Sequence, residues 1–215
     1  MSPRNVFERE LEQLLERIAR MSYLVEEAYE KLFLALAEKN REAIEEIKKN
    51  DRNINDLNRE IESQCLKLIT KQQPIARDLR IVSSVLKMVS DIERVGDNVS
   101  DMAELLLRIQ MQPLSTYSSH LEGMVVATKE LFANAVEAFV NNDLKASRQV
   151  VLGDDVIDML FNKVKNDIIE ALKSEHTNTD EYIDMMMLTK YLEKIGDHAV
   201  NVAEWHIFRE TGEIS

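Results

Sequence analysis

The sequence predicts an all-α fold: two tandem three-helix bundles, each running up-down-up. Three observations predict it. The 215 residues include only 5 Gly and 3 Pro, too few for a hairpin-rich fold, while Glu, Leu, Ala, Lys and Ile abound. Apolar residues recur at three- and four-residue spacings in six long runs with turn chemistry between them. One segment also occurs twice, about a hundred residues apart: Glu93-Arg-Val-Gly-Asp97-Asn-Val-Ser-Asp101-Met-Ala-Glu104 and Glu193-Lys-Ile-Gly-Asp197-His-Ala-Val-Asn201-Val-Ala-Glu204. Both copies keep acidic and glycine positions, whereas a bare hydrophobic repeat needs only the apolar ones.

The first helix is expected from Val6 to Ala37, with Leu11, Leu14, Leu15, Ile18, Met21, Leu24, Val25, Ala28, Leu32 and Leu36 on one face. Asn40 caps a second helix from Glu42 to Thr70, which turns Ile44, Ile47, Ile54, Leu57, Ile61, Cys65 and Leu68 inward. Pro74 opens a third, where the missing N–H costs nothing, and the helix is expected to reach Met111. The polar stretch around Pro113 divides the chain into a first bundle, residues 1–112, and a second, 113–215. A second triplet follows: Tyr117 to Val140, Leu144 to Leu172 and Asn178 to Phe208. Asn40 aligns with Asp143, and Asp51-x-x-Ile54-Asn55-x-Leu57-x-x-x-Ile61 aligns with Asp154-x-x-Ile157-Asp158-x-Leu160-x-x-x-Val164, so the duplication reaches every pair of helices.

Composition excludes several function classes. A net charge of −12 argues against nucleic acid as a main ligand, since phosphate backbones attract Lys and Arg. The lone Cys65 cannot form an intrachain disulfide, and no apolar run approaches the ~18 residues of a membrane span. The expected compartment is the cytoplasm, with any membrane contact made through a protein partner. Neither a Glu-x-x-His pair for a di-iron centre nor a nucleophile–base constellation is present, so no catalysis is expected.

The acids carry the chemical question. At ~100° per residue, Glu93, Asp97, Asp101 and Glu104 share a stripe opposite Met88, Ile92, Val95, Val99, Met102 and Leu106. Glu193, Asp197, Asn201 and Glu204 repeat it. If the second and third helices of each half are neighbours, these stripes meet Asp51, Asn55 and Glu62 in the first half and Asp154 and Asp158 in the second. Carboxylates crowded on rigid helices repel one another unless a cation neutralises them. Two readings stand: a solvated acidic face, or a surface metal site in each half. Gly96 and Gly196, which cost about 1 kcal/mol each inside a helix, serve either close helix packing or a bound group.

These residues resemble a known family. The repeated Glu-Arg/Lys-Val/Ile-Gly-Asp-Asn/His motif, the Gln73-Pro-Ile-Ala-Arg-Asp-Leu-Arg80 entry to the third helix, and Asn50-Asp51 on the second are similar to the PhoU family of phosphate-transport regulators. The resemblance spans essentially the whole chain. It implies a PhoU-like pair of three-helix bundles, frequent homodimers, and surface metal ions, iron or zinc in some members, held by Glu/Asp-x-x-x-Asp motifs. It also implies a cytoplasmic brake on phosphate uptake and the phosphate-starvation response, acting with the phosphate ABC transporter, through its ATPase subunit, and a sensor histidine kinase. By position the metal ligands fall on Asp51, Glu93, Asp97 and Asp101 in the first half and on Asp154, Asp158, Glu193, Asp197 and Asn201 in the second. Asn55 and Asn201 stand where the pattern has an acid, so each half lacks one carboxylate.

Other conspicuous residues have plainer readings. His198, beside Asp197, is a further candidate ligand or a surface histidine, whereas His120, His176 and His206 show no paired spacing. Met185-Met186-Met187 reads as core plus helix surface, and Trp205 with Phe208 as packing for the last helix. Arg77 and Arg80 are expected to pair with acids of this chain.

Overall fold

The computed structural model describes residues 3–72, 74–110, 112–174 and 179–213, without the side chains of residues 3, 4, 50, 51, 72 and 174. Six α-helices account for nearly all of them: α1 (Pro3–Ala37), α2 (Arg41–Gln72), α3 (Ala76–Leu106), α4 (Leu121–Val140), α5 (Leu144–Ser174) and α6 (Thr179–Thr211). A single 3₁₀ turn, Leu114–Thr116, lies in the junction.

The first turn of the duplication is written in the backbone. Lys39 and Asn142 both adopt left-handed φ, 56° and 54°, just past the ends of α1 and α4. The following amides bond back into the helices, Asn40 N to Ala35 O at 2.8 Å and Asp143 N to Ala138 O at 2.8 Å, which satisfies carbonyls the helix leaves open. The same two residues then cap the next helices. Asn40 Oδ1 accepts from Ala43 N at 3.1 Å, and Asp143 Oδ1 from Ala146 N at 3.0 Å.

The junction departs from the expected boundaries. α3 stops at Leu106 rather than running to Met111, because the Arg41 guanidinium donates to the carbonyls of Leu107 and Ile109 and ends the helix there. α4 begins at Leu121, not Tyr117. Tyr117 is held off the helix by its phenol, which donates to Glu181 at 2.9 Å, and Ser118 by its hydroxyl, which donates to Asp167 at 2.6 Å. Asn178, the expected start of α6, lies outside the described residues.

Within each half the helices alternate in direction. Gln64 donates to Glu10 O between α2 and α1, and Lys48 pairs with Glu104 between α2 and α3. In the second half Ser118 and His120, just before α4, bond Asp167 near the end of α5, and Ser147 bonds His206 between α5 and α6. The glycines set the closest approaches. A Cβ on Gly96 would lie 3.2 Å from Ile54 Cδ1, and one on Gly196 would lie 3.2 Å from Ile157 Cγ2. Ile54 and Ile157 are equivalent residues of the two copies, so each glycine seats the same isoleucine of the neighbouring helix. Close helix packing is therefore what both glycines do here.

The two halves join through α3 and α6, the most extensive helix pair, supported by α1 against α4. Asp91 meets Asn201 at one end of the α3–α6 pair and Asp101 meets Tyr191 at the other, so the helices are antiparallel and related by a pseudo-twofold. α2 and α5 flank this four-helix centre. Nearly half of α3 is buried, as a helix packed on three sides must be. Across the seam of α1 and α4, Tyr29 donates to Val125 O at 2.8 Å and Lys129 pairs with Glu30.

Candidate functional site

In the second half, the antiparallel α5 and α6 bring Asp154 and Asp158 into electrostatic contact with Glu193 and Asp197. Partial burial holds the Asp154 carboxyl above its usual range, and the charges of Asp158, Asp197, Glu193 and Asp155 push it further. Asp197 is raised in the same way, by burial, then Glu193 and Asp158, against Lys190 and His198. Asp154 Oδ1 lies beside Gly196, 3.6 Å from where a Cβ would sit, an ordinary contact distance. Lys190 donates to Glu193 at 2.5 Å and is the local counter-charge.

The donor set has the chemistry of a hard-cation or zinc site: carboxylate oxygens from two rigid helices whose mutual repulsion a cation relieves. Yet, among the described residues, no three Asp, Glu, His or Cys side chains converge on one point. Binding an ion here requires these carboxylates to move from the positions they hold.

The first half is arranged differently. Burial and Asp101 raise the Asp97 carboxyl, but Arg94, 3.7 Å away, and His198 offset part of that. Asp101 bonds Tyr191 of α6, and burial together with that carboxylate raises the phenol. Glu104 is taken up by Lys48 at 2.7 Å and Arg108 at 2.8 Å. Glu93 is half-buried on the same face of α3, and the side chain of Asp51 lies outside the described residues. More of the first-half stripe is thus committed to neutralising contacts than of the second.

Asn201 is placed apart from the α5 carboxylates. Its amide nitrogen donates to Asp91 Oδ1 at 3.0 Å, across the seam. His198 Nδ1 shares that oxygen at 2.9 Å, and the Trp205 indole N–H donates to Asp91 Oδ2 at 3.2 Å. One carboxylate of α3 therefore grips three successive turns of α6. Sequence reasoning passed over Asp91 because its partners lie 107, 110 and 114 residues away; its one local signal is that it stands opposite Tyr191 in the repeat.

His206 is also more than it looked. Fully buried, it accepts from Ser147 Oγ at 2.6 Å and donates from Nε2 to Asn142 Oδ1 at 3.0 Å, tying the end of α6 to the left-handed turn. Met185 is core, Met187 is exposed and Met186 lies between, as their spacing predicts.

Comparison with known proteins places this architecture. The phosphate-specific transport system accessory protein PhoU homolog of Clostridium acetobutylicum is 30% identical over 211 residues, covering 98% of this chain and 96% of that one. The homolog from Aquifex aeolicus is 33% identical over 96% of this chain and 93% of its own. A crystal structure of the phosphate transport system regulatory protein PhoU from Streptococcus pneumoniae superposes with a TM-score of 0.89 at 28% identity, over 97% of this chain and 99% of the other. PhoU from Pseudomonas aeruginosa, at 24% identity, has the same fold with a TM-score of 0.91 over 96% of this chain and all of the other. The PhoU domain model matches twice, at residues 18–106 and 121–206, one match to each copy of the three-helix unit. With two domain matches, the repeated acidic motif and the shared fold, the chain belongs to the PhoU family.

Proposed function

We propose that this protein is a cytoplasmic negative regulator of phosphate uptake and of the phosphate-starvation response. It acts by association with the phosphate ABC transporter, through the ATPase subunit, and with the sensor histidine kinase. The observation that carries this reading is near full-length similarity to proteins named as accessory to phosphate-specific transport. No helix among the described residues is long and apolar enough to cross a membrane, so contact with a transporter falls to its water-facing subunit. The net charge of −12 favours a basic partner surface and speeds encounter with it. Self-association into a homodimer belongs to the same reading.

The carboxylate faces are the proposed metal sites, for iron or zinc. Asp154 and Asp158 on α5 and Glu193 and Asp197 on α6 would hold one ion or cluster, with Glu93, Asp97, Asp101 and Asp51 as the weaker counterpart. A bound cation supplies positive charge that cancels the repulsion within each set and cross-links neighbouring helices. Asn201 belongs to the seam in this arrangement and joins the metal set only by leaving Asp91.

The decisive experiment is radiolabelled phosphate uptake in phosphate-replete cells with the gene deleted, beside a complemented strain. Deletion is expected to raise uptake and complementation to restore it. Unchanged uptake and unchanged starvation-gene output refute the regulator and leave a helical scaffold or metal-storing protein. The metal assignment is read separately: elemental analysis of a variant with Ala at Glu93, Asp97, Glu193 and Asp197 is expected to show lost metal at unchanged helix content.

A further inference from the structure

We propose that the groove along the α3–α6 seam is a binding site for a nucleotide, with a planar base on the aromatic wall and phosphate on the basic wall. The groove is open to solvent along one side and offers about 410 Å³, within the range of small-ligand sites. Its basic wall is Lys87 and Arg94 of α3, one turn above and one below Asp91. Lys87 is exposed and, among the described residues, joined to no carboxylate, while Arg94 is only loosely paired to Asp97 at 3.7 Å. The opposite wall is Trp205 and Phe208, set edge to face with ring centres 6.1 Å apart.

Asp91 lines the groove between these walls and fixes its aromatic side. Both its oxygens are engaged by His198, Asn201 and Trp205, which holds the indole and imidazole in place. An aromatic group already held in place loses little entropy on binding. Glu204 also lines the groove and can accept from the exocyclic amine of a base. A stacking surface beside two cations, with Glu204 as an acceptor, fits a nucleoside phosphate better than inorganic phosphate, which uses only the cations.

The duplication gives an internal control. At the pseudo-twofold-related end of the same seam, Lys87 is matched by Met187, Asp91 by Tyr191, His198 by Asn98, Trp205 by Leu105 and Phe208 by Arg108. Both ends pack the same two helices. Packing alone therefore does not call for the indole, the paired aromatic or the lysine found at one end. Ligand bound there touches α3 and α6 together, so occupancy is coupled to the contact between the halves.

Trp205 is the only tryptophan, so its emission reports this groove alone. The full chain is titrated with adenosine triphosphate in EDTA, by red-edge-excited fluorescence and by calorimetry, which keeps the acidic faces free of divalent ions. Saturable binding is expected, weakened at least ~10-fold in Lys87→Ala/Arg94→Ala, and at least ~10-fold weaker for adenosine or inorganic phosphate alone. Both substituted side chains are exposed, and unchanged circular dichroism confirms the fold. Trp205→Phe, followed by calorimetry, is expected to weaken binding as well. Absence of both heat and quenching overturns the proposal, as does undiminished binding in the double variant. Phosphate alone binding as tightly as the nucleotide overturns the role of the aromatic wall.

Discussion

His206 makes the stability of this protein fall with acid in a way that one substitution isolates. The imidazole is fully buried, and Asn142 Oδ1, which can only accept, fixes the proton on Nε2 and leaves Nδ1 to accept from Ser147. A second proton on Nδ1 turns the Ser147 hydroxyl from donor to acceptor and puts a buried charge beside Arg209, with Glu210 and Asp143 only partly offsetting. Burial, and then Arg209, lower the imidazole from 6.5 to about 4. A histidine with a depressed folded value contributes stability above its unfolded value, and that contribution is lost as pH falls toward the folded one. Between pH 7 and pH 5 the unfolded chain takes up a proton that the folded chain refuses, which costs about 2 kcal/mol. With a urea slope of ~2–3 kcal/mol/M, the midpoint falls by roughly 0.8 M. The assay is urea unfolding followed by circular dichroism at both pH values, for wild type and His206→Gln, whose amide can still donate to Asn142 but does not titrate. The variant is expected to lose less stability than wild type over this interval by about that amount, while carboxylate effects cancel in the comparison. Parallel loss in the two proteins refutes the reasoning.

Three further outcomes are expected. Lys39 holds a left-handed φ that disfavours a Cβ, so Lys39→Gly should stabilise by about 1 kcal/mol in thermal or urea unfolding, whereas Asn142→Gly should destabilise because His206 and Arg209 both bond its side chain. The raised Asp154 carboxyl is favourable to folding only while protonated and opposes it as pH rises through its folded value. Asp154→Asn should therefore raise the metal-free urea midpoint at pH 7, with the gain shrinking toward pH 4. Burial pushes the Cys65 thiol up to about 12, so Ellman's reagent should react with it only as the protein unfolds, and rapid labelling of the native chain would contradict its place in the core.

Much of the architecture was legible because it is local. Helical periodicity located all six helices, and the caps at Asn40 and Asp143 act as their residue types predict. What failed to show in sequence depends on distant partners. The C-terminus of α3 is set by Arg41, which arrives from 66 residues away, and the start of α4 is delayed by Glu181 and Asp167. The meeting of Asp154 with Asp197 followed from the repeat once α5 and α6 were taken as neighbours. The diversion of Asn201 and Asp101 into the seam did not, because helix phase gives the face a residue occupies but not which helix from the other half will cover it.

The antiparallel α3–α6 seam has an evolutionary consequence. In a dimer of identical subunits, a twofold interface feels every substitution twice, so a change that helps one end must be tolerable at the other. Here the two ends of the twofold are separate codons on one chain. Asp91 could become the hub of three hydrogen bonds while its counterpart remained Tyr191, and Trp205 could appear opposite a retained Leu105. Fusing the copies kept the geometry of a symmetric pair and released its residues to specialise singly.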